Sequence, residues 1–171
     1  MIFKKSKKRF YLNQHARQLE IAFCLLLIVN CIFISSCTQL ETFEKNTSIP
    51  NYQWNSNFKT EGSFLVTDTA ATYKAYIVLR HTDAYKYNNI WLNVGIAEPG
   101  DSLHFRKVDM QLGTDADGWA GSGMNDIWEI RQLLMIKRFT KTGTYKFAIS
   151  QIMRADPLPA VMSAGMRLEK Q

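Results

Sequence analysis

The 171-residue sequence predicts an all-β fold: an antiparallel β-sandwich, jelly-roll-like, of about eight strands behind an N-terminal leader. Three observations lead there. From about residue 51 apolar and polar residues alternate with period two, the spacing of a half-buried strand. Turn-forming clusters interrupt that alternation, as in Glu98-Pro99-Gly100-Asp101 and in the run GTDADG at 113–118. The first 36 residues have another pattern, basic and then apolar. Three segments follow: a leader over 1–36, a tether over 37–50 and a sandwich domain over 51–171.

The leader carries Lys4, Lys5, Lys7, Lys8, Arg9 and Arg17 against Glu20, a net of +5, while residues 37–171 carry a net of only +1. A body so near neutrality lacks the charge needed to neutralise several phosphates, so nucleic acid is not an expected partner. Residues 21–34 read IAFCLLLIVNCIFI. Such a run is shorter than the roughly 20 apolar residues a spanning helix needs. A basic stretch, a short apolar stretch and small residues form the order of a secretory signal. Ile34-Ser35-Ser36-Cys37 resembles a bacterial lipobox, with cleavage between Ser36 and Cys37 and the Cys37 thiol as the lipid-accepting nucleophile. Each buried methylene contributes roughly 0.8 kcal/mol, so two or more chains on one cysteine anchor stably. After that cut one cysteine remains, at the first mature residue, so neither an internal disulfide nor a cysteine-based metal site is expected. No cofactor is expected beyond the covalent diacylglyceryl and N-acyl lipid on Cys37. Residues 38–50, TQLETFEKNTSIP, are mostly polar and read as a flexible spacer. They hold no run of acids, which points to the periplasmic side of the outer membrane.

In the body, Ala75, Ile77 and Leu79 share one strand face. Ile90, Leu92, Val94 and Ile96 share another, with Trp91 and Asn93 pointing away. The next strand begins with Leu103 and Phe105 inward and continues with Val108, Met110 and Leu112 at the opposite parity. A β-bulge near Arg106-Lys107 would restore one face. Residues 127–136, IWEIRQLLMI, fit a helix through Ile127, Ile130, Leu133 and Leu134, or a strand through Trp128, Ile130, Leu134 and Ile136. The β-rich surroundings and the Ile and Trp content favour the strand. Tyr145, Phe147 and Ile149 mark a further strand, and Met162, Ala164, Met166 and Leu168 the last.

No constellation points to catalysis. Gly121-Ser122-Gly123 lacks the G-x-S-x-G spacing of a nucleophile elbow. His81 and His104 are far apart in sequence and read as edge or loop residues. Asp115 and Asp117 resemble the start of a calcium loop, but the twelfth position is Asp126 where that loop needs glutamate, so a β-turn is expected. The aromatic residues Tyr52, Trp54, Tyr85, Tyr87, Trp91 and Trp119 are expected mostly to plug the ends of the core; where exposed in loops, Tyr85, Tyr87, Trp91 and Trp119 among them are candidate interaction residues, able to stack on sugar rings or anchor a protein.

Over most of residues 37–171 the chain resembles the gliding-motility lipoprotein GldH family of the Bacteroidetes. The residues that carry the resemblance are Tyr85-Lys86-Tyr87-Asn88-Asn89-Ile90-Trp91-Leu92, Asp117-Gly118-Trp119-Ala120-Gly121-Ser122-Gly123, and Gln151-Ile152-Met153-Arg154-Ala155-Asp156-Pro157-Leu158-Pro159, with Gly165-Met166-Arg167-Leu168-Glu169-Lys170 after them. Lys86 and Ala160 stand where proline and glycine are expected. The resemblance implies a non-enzymatic envelope lipoprotein that is part of, or accessory to, the gliding-motility and type IX secretion machinery. Its partners would be the membrane, through the lipid, and other envelope lipoproteins or motility and secretion components. A lipid-tethered glycan-binding sandwich is the alternative. Gly118, Gly121 and Gly123 are expected to take positive φ or to permit close backbone approach. Arg154 and Asp156 are expected to pair across the turn that Pro157 and Pro159 stiffen, and to join the candidate interaction loops.

Overall fold

A computed structural model describes residues 41–171. The leader, the Ser36–Cys37 cleavage site and Cys37 lie outside the described residues. The described chain is all-β and antiparallel. Its strands are β1 (Thr42–Ser48), β2 (Gln53–Trp54), β3 (Thr60–Val66), β4 (Tyr73–Thr82), β5 (Asn89–Ala97), β6 (His104–Gln111), β7 (Gly113–Thr114), β8 (Gly118–Trp119), β9 (Ser122–Met124), β10 (Ile127–Lys137), β11 (Gly143–Gln151), β12 (Leu158–Pro159) and β13 (Val161–Lys170). Eight of these are seven residues or longer, and the other five are pairs or triplets. The expected count of about eight therefore fits the long strands, with short ones added in the loops.

The two large sheets have the orders β1-β13-β4-β10-β9 and β3-β11-β5-β6. Counting the long strands alone, one sheet takes the first, eighth, third and sixth, and the other the second, seventh, fourth and fifth. That is a jelly-roll order. The period-two residues meet between the sheets. Ala75, Ile77 and Leu79 of β4 and Ala164, Met166 and Leu168 of β13 share one buried cluster with Ile90, Leu92 and Val94 of β5 and Tyr145, Phe147 and Ile149 of β11. Burying a large apolar side chain contributes about 1.5–3 kcal/mol, so this cluster is the main source of stability. The Phe64 ring stacks on Tyr145 at 5.5 Å and meets Phe43 at 6.0 Å, joining β3, β11 and β1.

Two expectations are corrected. Residues 42–48 are not part of a flexible tether. They form β1, paired with β13 from Thr42↔Glu169 to Ser48↔Ser163. The segment has little apolar signal because main-chain bonds hold it, aided by the Glu44–Arg167 ion pair at 2.9 Å. β1 also lies close over Gly165, where a Cβ would strike the Lys45 carbonyl and Asn46. Second, β6 has no bulge, for its pairing with β5 runs unbroken from Asn89↔Gln111 to Ile96↔His104. Phe105 consequently faces outward, its ring lying over Gly95, where an added Cβ would come within 2.7 Å of it. The space left by the glycine accommodates the ring and removes the need for a bulge. Register shifts occur elsewhere, at Leu133/Met135 in β10 and Val161/Ser163 in β13. The ambiguous segment 127–136 is a strand, as expected.

Candidate functional site

The strands alternate in direction, so each end of the sandwich has its own loops. Thr42, Tyr73, Lys137 and Lys170 share one end, with the short connections 67–72, 98–103 and 138–142. Ser48, Thr82, Ile127 and Val161 share the other, with the connections 49–59, 83–88, 112–126 and 152–160. All three internal segments that carry the family resemblance, 85–92, 117–123 and 151–159, reach this second end, which we call the loop end.

Gln151 organises it. The residue ends β11, is fully buried, and a buried amide must find partners. Its Nε2 donates to the carbonyls of Trp54 at 3.2 Å and Ala155 at 3.4 Å, and its Oε1 accepts from the Met153 N–H at 2.7 Å. The turn 151–156 is thereby closed on itself and tied to β2. Trp54 is wholly buried there, its Nε1 donating to the Phe58 carbonyl at 2.9 Å. β12 then pairs with β2, Leu158↔Trp54. Asp156 accepts from the Ser56 hydroxyl at 2.5 Å and from the Ser56 N–H at 2.8 Å. Those bonds, the hydroxyl first, hold its carboxyl below the usual aspartate range. The expected Arg154–Asp156 pair is absent among the described residues. Ser56, a hundred positions earlier in sequence, takes the carboxylate, and Arg154 is exposed.

The aromatic residues divide into two groups. Tyr85 is buried, its hydroxyl donating to the Asn89 carbonyl at 3.0 Å. His81 is also buried, and Trp119 meets it edge-on at 4.5 Å. The His81 Nδ1 lies 3.0 Å from the Thr82 carbonyl, while its Nε2 has no partner among the described residues. Burial pushes the His81 pKa down and the Tyr85 pKa up. Tyr85 and Trp119 therefore plug the core instead of offering a free contact surface. The exposed aromatic residues of segment 85–92 are Tyr87, 39% accessible, and Trp91, 42%. Trp91 is held from both sides of its peptide: its carbonyl accepts from Ile152 N–H at 2.9 Å, and its N–H points at the Met153 sulfur at 3.2 Å. Tyr87, Trp91, Ile152 and Arg154 are thus among the exposed side chains of the loop end that the family segments supply.

The glycines behave as expected. Gly118 and Gly121 have φ of 74° and 86°. A Cβ at Gly121 would strike the Glu129 carbonyl, and one at Gly123 would sit 2.8 Å from the Trp128 ring. Residues 121–124 can therefore lie close along β10, while Gly118–Trp119 pairs with Gly113–Thr114. Trp128 in turn donates from Nε1 to Asp83 at 2.6 Å. Ala160, at the position expected to be glycine, has φ of 67°, the left-handed region that favours glycine.

The remaining polar candidates have structural partners. Asp115 accepts from Asn88 at 2.7 Å, and Asp117 from the Thr114 hydroxyl at 2.9 Å, as turn residues do. His104 lies at the opposite end from His81, 3.1 Å from Asp101. Among the described residues no three His, Cys, Asp or Glu side chains come together in a metal-binding group. Sequence reasoning missed Gln151 as the hub and Ser56 as the partner of Asp156. A lone glutamine at a strand end and a serine in a polar stretch give no signal of burial or pairing.

The family model described as GldH lipoprotein matches residues 41–168, nearly the whole sandwich. The chain belongs to the GldH lipoprotein family. This GldH-family chain is 25% identical over 154 residues to the gliding motility lipoprotein GldH of Flavobacterium johnsoniae, covering 85% of this chain and 95% of that protein. It is 24% identical over 155 residues to a gliding motility lipoprotein GldH homolog of Christiangramia forsetii, covering 85% and 93%. Among solved structures it is similar to tripeptidyl peptidase 2, with a TM-score of 0.40 at 13% identity over 80% of this chain and 10% of that one. It is also similar to the infectious bursal disease virus VP2 particle, with a TM-score of 0.38 at 9% identity over 77% of this chain and 32% of that one. Likenesses so loose carry no argument about function.

Proposed function

We propose that the chain is exported, cut before Cys37, and held by diacylglyceryl and N-acyl lipid on that residue at the outer membrane, facing the periplasm. There it serves as a non-enzymatic component of the gliding-motility and type IX secretion machinery, bound to other envelope proteins. The start of β1 at Thr42, so soon after Cys37, carries this reading. Five residues of extended chain reach at most about 18 Å. The Thr42 end then stays near the bilayer. The loop end sits one strand length further out, where Tyr87, Trp91, Ile152 and Arg154 can meet a partner.

Replacing the thiol tests the anchor. Cys37→Ser is expected to lose acyl mass and to leave the membrane fraction. A variant that still sediments with membranes, from a protein whose mass never showed acyl groups, ends the proposal. A strain lacking the protein is expected to lose spreading or secretion, and normal motility, secretion and envelope would remove the machinery role. The exposed rings of Tyr87 and Trp91 favour a second reading, a lipid-tethered glycan-binding module. A glycan array and binding to peptidoglycan and surface polysaccharide decide it. Absence of binding at millimolar glycan rules it out.

A further inference from the structure

The sandwich is open along one side. β9 covers β10 only over Ile127–Glu129, and β6 is the edge of its own sheet. Two side-chain bonds span the gap between these strands. Arg106 Nη2 donates to the Leu134 carbonyl at 3.0 Å, and Gln132 Nε2 donates to the Asp109 carbonyl at 3.2 Å. From Arg106 towards the Thr42 end the gap widens into a cleft of about 370 Å³.

The period-two pattern breaks at this cleft. Met110, Val108, Arg106 and His104 of β6 stand opposite Ile90, Leu92, Val94 and Ile96 of β5, all on the inward face. Met110 is buried and Val108 packs against the core. The next two inward positions, Arg106 and His104, are polar and exposed. No apolar residue of β6 closes the core there, and the cleft is walled by Val94, Ile96, Met135, Phe139 and Tyr145. A break of this kind in an otherwise consistent pattern commonly marks a site.

The charges give the cleft a sign. Glu98 lies 3.2 Å from Lys137 and 3.7 Å from Lys141, and Asp101 lies 3.1 Å from His104. Both carboxylates are engaged, and the cations Arg106, Lys137 and Lys141 outnumber them. Arg106 has no carboxylate partner among the described residues, and its bond to Leu134 uses only one of the guanidinium's N–H groups. A free guanidinium fork holds a carboxylate or phosphate through two parallel bonds. The volume has room for about twelve water-sized groups, enough for one short chain and too little for a two-chain lipid.

We infer that the cleft is a binding site for a single-chain anionic amphiphile of the fatty-acid class, with its head group on Arg106 and its chain against the apolar wall.

The test holds the full chain in phosphatidylcholine vesicles. Bound radiolabelled octanoate is measured by equilibrium dialysis, with protein-free vesicles as the blank. Octanoate is expected to bind as a single ligand per chain, with half-saturation between about 0.1 and 1 mM, and to slow hydrogen exchange across 94–98 and 134–139. Octanol and octylammonium keep the chain and change the head, and each is expected to compete at least about tenfold less well. Arg106→Gln is expected to weaken binding about tenfold with an unchanged melting temperature, the position being exposed. Arg106→Lys keeps the charge without the fork and is expected to fall between Arg106→Gln and wild type. The inference is overturned by no binding at ten times the upper concentration, by equal competition from octanol, by full binding in Arg106→Gln, or by exchange slowed only elsewhere. Vesicles containing anionic phosphatidylglycerol separate the two sources of such a head group. If that lipid alone slows exchange at the cleft and octanoate does not bind, a bilayer lipid is the occupant and the inference fails.

Discussion

The two ends of the sandwich are closed by different physics. At the Thr42 end, short turns join strands, and the side chains pair on the surface, as Lys170 does with Glu41 and Asp68 at 3.1 and 3.3 Å. Exposed pairs of that kind contribute between nothing and about 1 kcal/mol each. At the loop end, four connections, three of them longer, are held by buried groups: Trp54, Gln151, Tyr85 and His81. Buried polar groups tolerate few substitutes, because each needs a partner of one geometry. Three of the segments that carry the family resemblance, 85–92, 117–123 and 151–159, reach this end, where buried polar groups leave the chain little freedom.

Substitutions at matched positions test that contrast. Trp54→Ala removes a wholly buried ring and is expected to cost about 3–5 kcal/mol in denaturant unfolding, the usual range for such a truncation. Leu65→Ala, at the other end and 64% exposed, is expected to change stability by less than about 0.5 kcal/mol. Comparable losses would erase the distinction.

Gln151→Leu keeps the volume but leaves the Trp54 and Ala155 carbonyls and the Met153 N–H without their partner. The expected loss is about 1–3 kcal/mol, with faster hydrogen exchange over 152–158. A stable variant with an unchanged loop would mean that Gln151 is not the hub.

Two glycines sharpen the comparison. Gly121 and Gly100 both have positive φ, 86° and 82°, but only Gly121 faces a backbone carbonyl. Gly100→Ala in its open turn is expected to cost about 1–2 kcal/mol, the left-handed penalty alone. Gly121→Ala is expected to cost more and to detach the 117–123 segment, measured by unfolding and by quenching of tryptophan fluorescence.

The smallest effect is the pH dependence of His81. Burial lowers its folded pKa below the ordinary 6.5, so the unfolded chain binds the proton more readily. Its contribution to stability is complete above the unfolded value and is lost as pH falls towards and through the depressed folded one. Wild type is expected to lose stability between pH 7.5 and 5.5, and His81→Phe to lose less across that interval. Equal slopes would show that His81 is not the group responsible.

How much of this was legible depended on the range of the interaction. Strands β4, β5, β11 and β13 were visible because period-two burial is written locally in each. The positive φ at Gly118 and Gly121 was visible too, because residue type states it. β1 was read as tether because it contributes mainly main-chain bonds to β13, more than a hundred positions away. The bulge expected in β6 disappeared because Gly95, on the neighbouring strand, accommodates the Phe105 ring. The partner of Asp156 was misassigned to Arg154 for the same reason: Ser56 is remote in sequence and near in space.

Alone, the sequence determined the all-β class, the strand periodicity, the turns and the family, each of which rests on neighbours a few residues apart. Only the tertiary structure decided that three of the family segments share one end, that Tyr85 is core, Trp119 packed against it and Trp91 surface, and that β10 keeps an open edge. Those facts depend on which distant strands become neighbours, and sheet order is set by burial across the whole domain, not by any one stretch of chain.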